Sequence, residues 1–504
     1  MQFINGKPAE GSSTEQQTVI NPATGEVVET YPEASVEDVD AAVAAASTAF
    51  PDWSHAAPAE RADVLLKVAA LLGERATEIA EAETRQTGKP IRLSTEFDVP
   101  GTIDNVAFFA GAARNLEGKA AGEYLPTHTS LIRREPIGVI GSIAPWNYPL
   151  QMAAWKILPA IAAGNTIVVK PAEITPITTV ALAQACADAG VPAGVVNVVT
   201  GAGPSTGEAL VTHRDVSMVS FTGSTAVGTR IMSLIAPTAK RIHLELGGKA
   251  PLVVFDDADL EAAVHGAVAG TLINAGQDCT AVTRAYVQRP LFDAFVDGVA
   301  ELMTAVRMGD TASPATDLGS LSSFRQRDRV HGFVRRAEAE GAKVQTGGDL
   351  PTVGWDGSDL TRGAYFAPTL LTNVDQRSEI VQREVFGPVL VALPFDSDDE
   401  GIDLANDTMY GLAASAWTRD LHRGLRASRD IKAGTVWIND HIALTSEMPH
   451  GGVKQSGFGK DMSTYSFDEY TTVKHVMLDI TGDPRREWHR TIFTEPDRAE
   501  PTQR

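Results

Sequence analysis

Only two cysteines occur among the 504 residues, Cys186 and Cys279. That scarcity excludes a disulfide-stapled scaffold, and reduced thiols fit a cytoplasmic protein. The opening Met1-Gln2-Phe3-Ile4-Asn5-Gly6-Lys7 has no basic-then-apolar leader pattern. Long apolar runs are also missing: Lys156, His265 and several glycines break the best candidates before about 18 residues accumulate. A secreted or membrane-embedded protein is therefore not expected. Basic charge is in deficit, with a net charge of −21. Nucleic-acid binding needs a basic face, so that class is excluded. The acidic balance reads as a well-solvated surface, whose field would also gather cationic substrates. The 11 histidines show no paired spacing with cysteine or acid, so no metal site is expected.

What is present is an ordinary globular composition, long enough for two or three domains with sizeable cores. Ser35-Val36-Glu37-Asp38 opens a helical stretch through Phe50, with Ser35 as N-cap and Asp38 as its reciprocal partner. Pro58 starts a second, longer run that Gly88 ends. Gly138 to Ala144 is a buried-strand pattern that runs into Pro145-Trp146-Asn147-Tyr148-Pro149. Strands follow at Thr166 to Val169, Val195 to Val199 and Ser217 to Phe221, with a helix near Thr178 to Ala189. This alternation predicts an open, mostly parallel α/β sheet, whose ligands bind at the carboxyl ends of its strands. A second α/β region runs from about Lys249 to about Gly451. Tyr124 to Arg134 and Tyr470 to Leu478 alternate as strands that need a partner sheet, one that another subunit could supply. The charged tail from Thr481 to Arg504 is expected to be mobile or to reach a neighbour as an arm.

Cys279 stands in Asn274-Ala275-Gly276-Gln277-Asp278-Cys279-Thr280-Ala281, downstream of Glu245-Leu246-Gly247-Gly248-Lys249. A thiol in one Gly-containing turn and an acid in another is the layout of a nucleophile with a carboxylate base. A free cysteine titrates near about 8.5, so modest help from a base or backbone donors makes it reactive at neutral pH. Cys186, in an Ala-rich helical stretch, reads instead as a small buried hydrophobe. His243, on an alternating strand pattern, reads as structural.

Gly223-Ser224-Thr225-Ala226-Val227-Gly228 follows a strand and opens a helix, where backbone N–H groups suit a pyrophosphate. Its spacing differs from the usual dinucleotide G-x-G-x-x-G, and Gly201-Ala202-Gly203 lacks the third glycine. Lys170 and Glu173 end a strand; a carboxylate there can accept the ribose hydroxyls of NAD and repel the extra phosphate of NADP, a surface ion pair being the alternative. The Asn147 amide can donate to an oxyanion or serve a Pro-bounded turn. Glu384-Val385-Phe386-Gly387-Pro388 sets an acid and an aromatic beside a turn, and alone is compatible with simple loop structure.

In order, Pro145-Trp146-Asn147, Lys170-Pro171-Ala172-Glu173, Phe221-Thr222-Gly223-Ser224, Glu245-Leu246-Gly247-Gly248-Lys249, Gly276-Gln277-Asp278-Cys279 and Glu384-Val385-Phe386-Gly387-Pro388 resemble the aldehyde dehydrogenase superfamily, over roughly residues 1 to 480. The resemblance implies an α/β fold of two doubly wound parallel-sheet domains plus a small oligomerisation β-hairpin. The dinucleotide-binding domain would comprise 1–118 and 141–247, the catalytic domain 248–454, and the oligomerisation segments 119–140 and 455–480, leaving 481–504 as a tail. It implies a homo-oligomer, a tetramer with a dimer as alternative. It also implies that Cys279 attacks an aldehyde, Asn147 and the Cys279 N–H hold the oxyanion, and Glu245 activates the water that releases the acid. NAD would be held by Trp146, Lys170, Glu173, Gly203, Gly223, Ser224, Gly228, Glu384 and Phe386. Lys156 and Asp461 match positions proposed to relay protons from Glu245. Members that pass the acyl group to coenzyme A usually lack this base, so Glu245 points to hydrolysis.

Ser142 to Leu150, Phe108 to Arg114 and Ser446 to Gly452 are similar to bacterial γ-aminobutyraldehyde dehydrogenases of putrescine breakdown. Tyr148 and Trp155 can offer aromatic faces to a cation, or serve as core packing, and Asp278 can pair with a primary ammonium. Betaine aldehyde dehydrogenases typically build a fuller aromatic cage; at the matching positions this chain has Ile273 and His450. The expected substrate is therefore 4-aminobutanal, with betaine aldehyde or a broad range of aminoaldehydes as the alternative. A non-catalytic protein of this fold would be expected to have lost Cys279, Glu245 or Asn147.

Overall fold

The computed structural model describes residues 1–116, 118 and 121–493. Two large sheets organise it. The first has eight strands in the order Gly457–Phe458, Arg241–Glu245, Val216–Thr222, Val139–Ile143, Thr166–Lys170, Val196–Val198, Gln2–Ile4 and Lys7–Ala9. The five strands from Arg241–Glu245 to Val196–Val198 run parallel, and the edges are antiparallel. Within the parallel part the chain starts at Val139–Ile143, moves outward through two strands, then returns to Val216–Thr222 on the other side. Strand order therefore reverses between Val139–Ile143 and Val216–Thr222, where open sheets form their ligand crevice. All the strands read between Gly138 and Phe221 are present, with bounds shifted by one or two residues.

The second sheet has seven strands from Lys343–Thr346 to Thr435–Ile438, all parallel except the edge strand Lys343–Thr346. Its five inner strands are almost wholly buried, as a parallel sheet covered on both faces requires, and its two edge strands are partly exposed. Glu245 ends a strand of the first sheet, and Ala250–Val254 begins the second, so Leu246 to Lys249 bridges the two.

Three local readings change. The first helix, Val36–His55, continues past Phe50 through Pro51, and Ser35 and Asp38 form the expected capping box. The run from Pro58 is two helices, Pro58–Glu74 and Ala76–Thr87, which meet at Arg75; Gly88, with φ of +79°, ends the second. The two unpartnered segments partner each other. Tyr124 to Arg134 is a hairpin, Gly122–Leu125 with His128–Pro136, and Thr471–Asp479 pairs antiparallel with the latter along nine residue pairs. Alternation marked both strands, but the pairing spans the length of the chain and left no local trace. In the tail, a short helical turn at Glu487–Thr491 follows an Arg486–Asp479 ion pair of 2.6 Å; the remainder of the expected arm, 494–504, lies outside the described residues.

Asn165 joins the three-stranded sheet of Gly122–Leu125, His128–Pro136 and Thr471–Asp479 to the first sheet. Its Oδ1 accepts from the N–H of Ile137 and Gly138 at 2.6 and 3.1 Å, and its Nδ2 donates to the carbonyls of Ala160 and Tyr470 at 3.2 and 2.8 Å. One amide thus serves four backbone groups, although the Ala160 carbonyl also accepts from the Asn165 N–H at 2.9 Å. Asn165→Ala should cost about 2–4 kcal/mol through unmet hydrogen bonds, with Asn165→Asp in between because it keeps the acceptor. Thermal and urea unfolding of the three proteins checks this; equal transitions would refute it.

Candidate active site

A cavity of 280 Å³ opens where the two sheets meet, lined by Asn147, Glu245, Cys279 and Phe386 among others. Cys279 lies in the turn before strand Val282–Gln288. Asn274, Ala275 and Gly276 all adopt left-handed backbone, with φ of 49°, 53° and 71°. This swings Gln277 to Thr280 toward the cleft, and a β-carbon at Gly276 would lie 2.2 Å from the Gly387 carbonyl. A β-carbon at Gly248 would lie 2.0 Å from the Cys279 carbonyl. Both motif glycines therefore allow backbones to meet beneath the thiol.

Asn147 reaches the same cavity from the carboxyl end of Val139–Ile143. One of its two amide hydrogens is donated to the Gln277 carbonyl at 2.9 Å, which leaves the other for a substrate oxygen. Glu245 Oε1 accepts from the Gly452 N–H at 3.3 Å, and Oε2 faces His450 Nε2 at 3.4 Å. The His450 ring stands 5.1 Å from Trp155, centroid to centroid. Lys156 does not line the cavity; it is buried behind it, 2.5 Å from Asp461. Burial pushes the Asp461 carboxyl up and Lys156 opposes that shift.

The dinucleotide candidates divide by position. Trp146 and Phe386 meet edge to face at 5.2 Å on one side of the cavity, and Phe386 holds a left-handed φ of 60°. Gly223 and Ser224 line the cavity at the N-terminus of helix Thr225–Ile235, which Ser224 caps. Glu384 is half-buried, its Oε1 accepting from the Gly248 N–H at 2.8 Å. Lys170 donates to the carbonyls of Pro171 and Gly201 and lies 3.7 Å from Glu173, whose side chain stays 43% exposed and open to a ligand. Gly203 begins a turn beside this pair at the end of the neighbouring strand. Gly228 packs on Leu246, where a β-carbon would lie 2.6 Å from a methyl group; its place is helix packing. A planar slot, a helix start for phosphates and two carboxylates for ribose hydroxyls fit NAD.

The substrate candidates are modified by their surroundings. Asp278 Oδ2 accepts from the Tyr148 hydroxyl at 2.8 Å, and Oδ1 accepts from the Thr280 N–H and hydroxyl at 2.7 and 2.6 Å. Among the described residues, no lysine or arginine pairs with it. Tyr148 does not have both ring faces free, as expected for a cation platform: the Lys89 ammonium sits 4.3 Å from its ring centroid. Lys89 is itself buried against Asp98 at 2.6 Å and Glu83 at 3.4 Å. That cluster was not read from the sequence, where Glu83, Lys89 and Asp98 look like ordinary helix-surface charges. His441 was also missed. Its ring contacts the Thr280 carbonyl at 2.8 Å and Ser415 Oγ at 2.9 Å, and burial pulls it down to about 4. Gln326 and Arg329, on helix Phe324–Ala339, hold the backbone carbonyls of the Glu384–Phe386 turn.

Burial and the charges of Asp278, Glu245 and Glu384 together push the Cys279 thiol well above the usual range. With no ligand bound, alkylation by iodoacetamide should therefore rise with a midpoint above the free-thiol value of about 8.5. Glu245→Gln should move that midpoint down, because it removes a negative neighbour. A parent midpoint at or below the free-thiol value would refute this picture.

The Aldehyde dehydrogenase family model matches residues 9–476. The chain is 41% identical over 476 residues to a betaine aldehyde dehydrogenase of Bacillus subtilis (strain 168), covering 94% of this chain and 96% of that protein. An NAD+ complex of an aldehyde dehydrogenase from Bacillus cereus superposes with a TM-score of 0.92 at 40% identity, covering 95% of this chain and 96% of that one. PnpE from Pseudomonas sp. WBC-3 superposes at 0.94 with 39% identity, covering 97% and 99%. The model match and these identities span nearly the whole chain, across both sheets and all six motifs: the chain belongs to the aldehyde dehydrogenase family.

Proposed function

We propose that this NAD-dependent aldehyde dehydrogenase oxidises 4-aminobutanal to 4-aminobutanoate, in putrescine or polyamine breakdown. The Cys279 thiol releases its proton to solvent, Sγ adds to the carbonyl carbon, and the oxygen settles against the free Asn147 amide hydrogen and the Cys279 N–H. Bound NAD supplies the acceptor for the hydride that leaves the same carbon. The acyl group then rests on Cys279 as a thioester. Glu245 takes a proton from water, the resulting hydroxide adds to the thioester, and the carbon–sulfur bond breaks to release the acid. Trp146, Phe386, Glu384, Ser224, Lys170 and Glu173 are the residues that would hold the dinucleotide.

The observation that carries the substrate class is Asp278. Its carboxylate lines the same cavity as the nucleophile, one residue away, and is satisfied by hydroxyl and amide donors without a cationic partner. A primary ammonium supplies the missing charge and donates hydrogen bonds. A trimethylammonium cannot donate, and prefers aromatic faces. Here Tyr148 already holds Lys89, and Ile273 and His450 supply no further tryptophan. Betaine aldehyde remains the second reading, favoured by the 41% identity to an enzyme of that name.

We also propose that the three-stranded sheet ending in Thr471–Asp479 assembles the protein into a tetramer, or else a dimer. Thr471–Asp479 is an edge strand with one unpaired side, and Val473, Met477 and Leu478 are exposed on it. Among the described residues, no helix is long and apolar enough to cross a membrane.

NADH formation should show higher kcat/KM for 4-aminobutanal than for betaine aldehyde or butanal. Asp278→Asn should lower the value for 4-aminobutanal about tenfold or more while changing butanal little, the worth of one charge-assisted hydrogen bond. Preference for betaine aldehyde or butanal by the parent enzyme would overturn the substrate assignment.

A further inference from the structure

Pro149–Ala162, the nucleophile turn and Arg241–Glu245 converge on one imidazole that the mechanism above does not use. His450 is 4% exposed, and its Nε2 lies 3.4 Å from Glu245 Oε2. The neighbouring backbone holds the other oxygen, because the Gly452 N–H donates to Oε1. Gly451 between them has a φ of +157°, and a β-carbon there would lie 2.9 Å from Oε1. Three consecutive residues therefore clasp the Glu245 carboxylate, and His450 is the only one of them to do so through a side chain.

The imidazole is itself fixed. Its backbone exchanges hydrogen bonds with Asp461 in both directions, at 2.9 and 2.8 Å, and its ring packs on Trp155. Its Nδ1 has no hydrogen-bond partner among the described residues. Titratable groups surround it from every packed element: Glu245 and His243 from the strand, Lys156 from the buried helix, Asp461 and Lys460 from the returning segment, and Asp278 from the nucleophile turn. Burial pulls the His450 ring down, yet contact with Glu245 and the charges of Glu245, Asp461 and Asp278 raise it above the ordinary histidine value.

We propose that His450 is a positioning residue for the general base: its imidazole holds Glu245 in place and sets the pH window in which Glu245 activates the deacylating water. This rests on the reading of Glu245 as that base. As an imidazolium it pairs with the carboxylate and weakens it as a proton acceptor; as a neutral ring it orients the carboxylate and leaves it basic. The residue expected to meet substrate thus acts first on the base.

Hydrolysis of p-nitrophenyl acetate isolates the step without NAD. Cys279 attacks the ester, the carbon–oxygen bond breaks and nitrophenolate leaves in a burst. Water, losing its proton to Glu245, then cleaves the carbon–sulfur bond and frees acetate and the thiol. The steady-state rate should climb through a step above about pH 6.5, the unperturbed histidine value. His450→Gln, which keeps a donor but cannot titrate, should lose the step and retain the high-pH rate. His450→Phe should lose the step and deacylate about tenfold more slowly, the size of one hydrogen bond to a charged group. Burst amplitude should match the parent in both, which reports folded protein with a competent thiol. A pH step preserved in either variant, or burst and steady state falling together, would overturn the proposal. Glu245→Gln separates the two readings: unchanged deacylation there would refute Glu245 as the base, whereas its loss beside parent-like His450 variants would refute the positioning role alone.

Discussion

A lysine buried inside an apolar helix governs the centre of this molecule. All residues of Pro149–Ala162 are buried, Lys156 among them. An unpaired ammonium there would cost several kcal/mol, so the helix is stable only with a carboxylate delivered to it. Asp461 meets Lys156 at 2.5 Å from 305 positions further along the chain. That requirement directs the returning segment. Gly457–Phe458 adds to the sheet edge beside Arg241–Glu245, and the reciprocal bonds between Asp461 and His450 set residues 450–452 against Glu245. The pair adds little net stability by itself; its effect is to place Glu245.

The chemistry of the cleft follows from where the cations are not. Lys156 is turned to Asp461, Lys89 to Asp98 and Glu83, and Arg329 to backbone carbonyls of the Glu384–Phe386 turn. Burial, and then the charges of Asp278, Glu245 and Glu384, push the thiol toward its protonated form. A reactive thiolate in an open cleft would be exposed to oxidation, whereas a thiol kept neutral waits for its ligands.

The parts of this site legible in the sequence are those that local crowding dictates. Gly248 and Gly276 are glycine because backbone passes within a β-carbon's radius, and such constraints stay in short motifs. Strand periodicity carried the parallel core in the same way. What could not be read depends on distant pairing. The Glu83, Lys89 and Asp98 cluster depends on distant partners, Thr178 beside Glu83 and the Tyr148 ring against Lys89, and His441 matters only because the Thr280 carbonyl arrives beside it. Composition marks none of these. The edge strands show the division most clearly: alternation revealed Thr471–Asp479, but nothing near it in sequence pointed to His128–Pro136.

The same carboxylates link substrate charge to nucleophile activation. A negative neighbour raises a thiol's pKa by disfavouring the thiolate, and neutralising that neighbour lowers it again. An ammonium seated on Asp278 would cancel the nearest of these charges at the moment the carbonyl reaches Cys279. Linkage makes the coupling mutual, since whatever the cation does for the thiolate, the thiolate does for cation binding. An uncharged aldehyde of equal length gains neither effect. If Asp278 seats the substrate's ammonium as proposed, a cationic substrate is favoured twice, once in binding and once in the ionisation of Cys279. The selectivity therefore belongs to kcat/KM as a whole, and a charge-for-amide change at Asp278 acts on both parts.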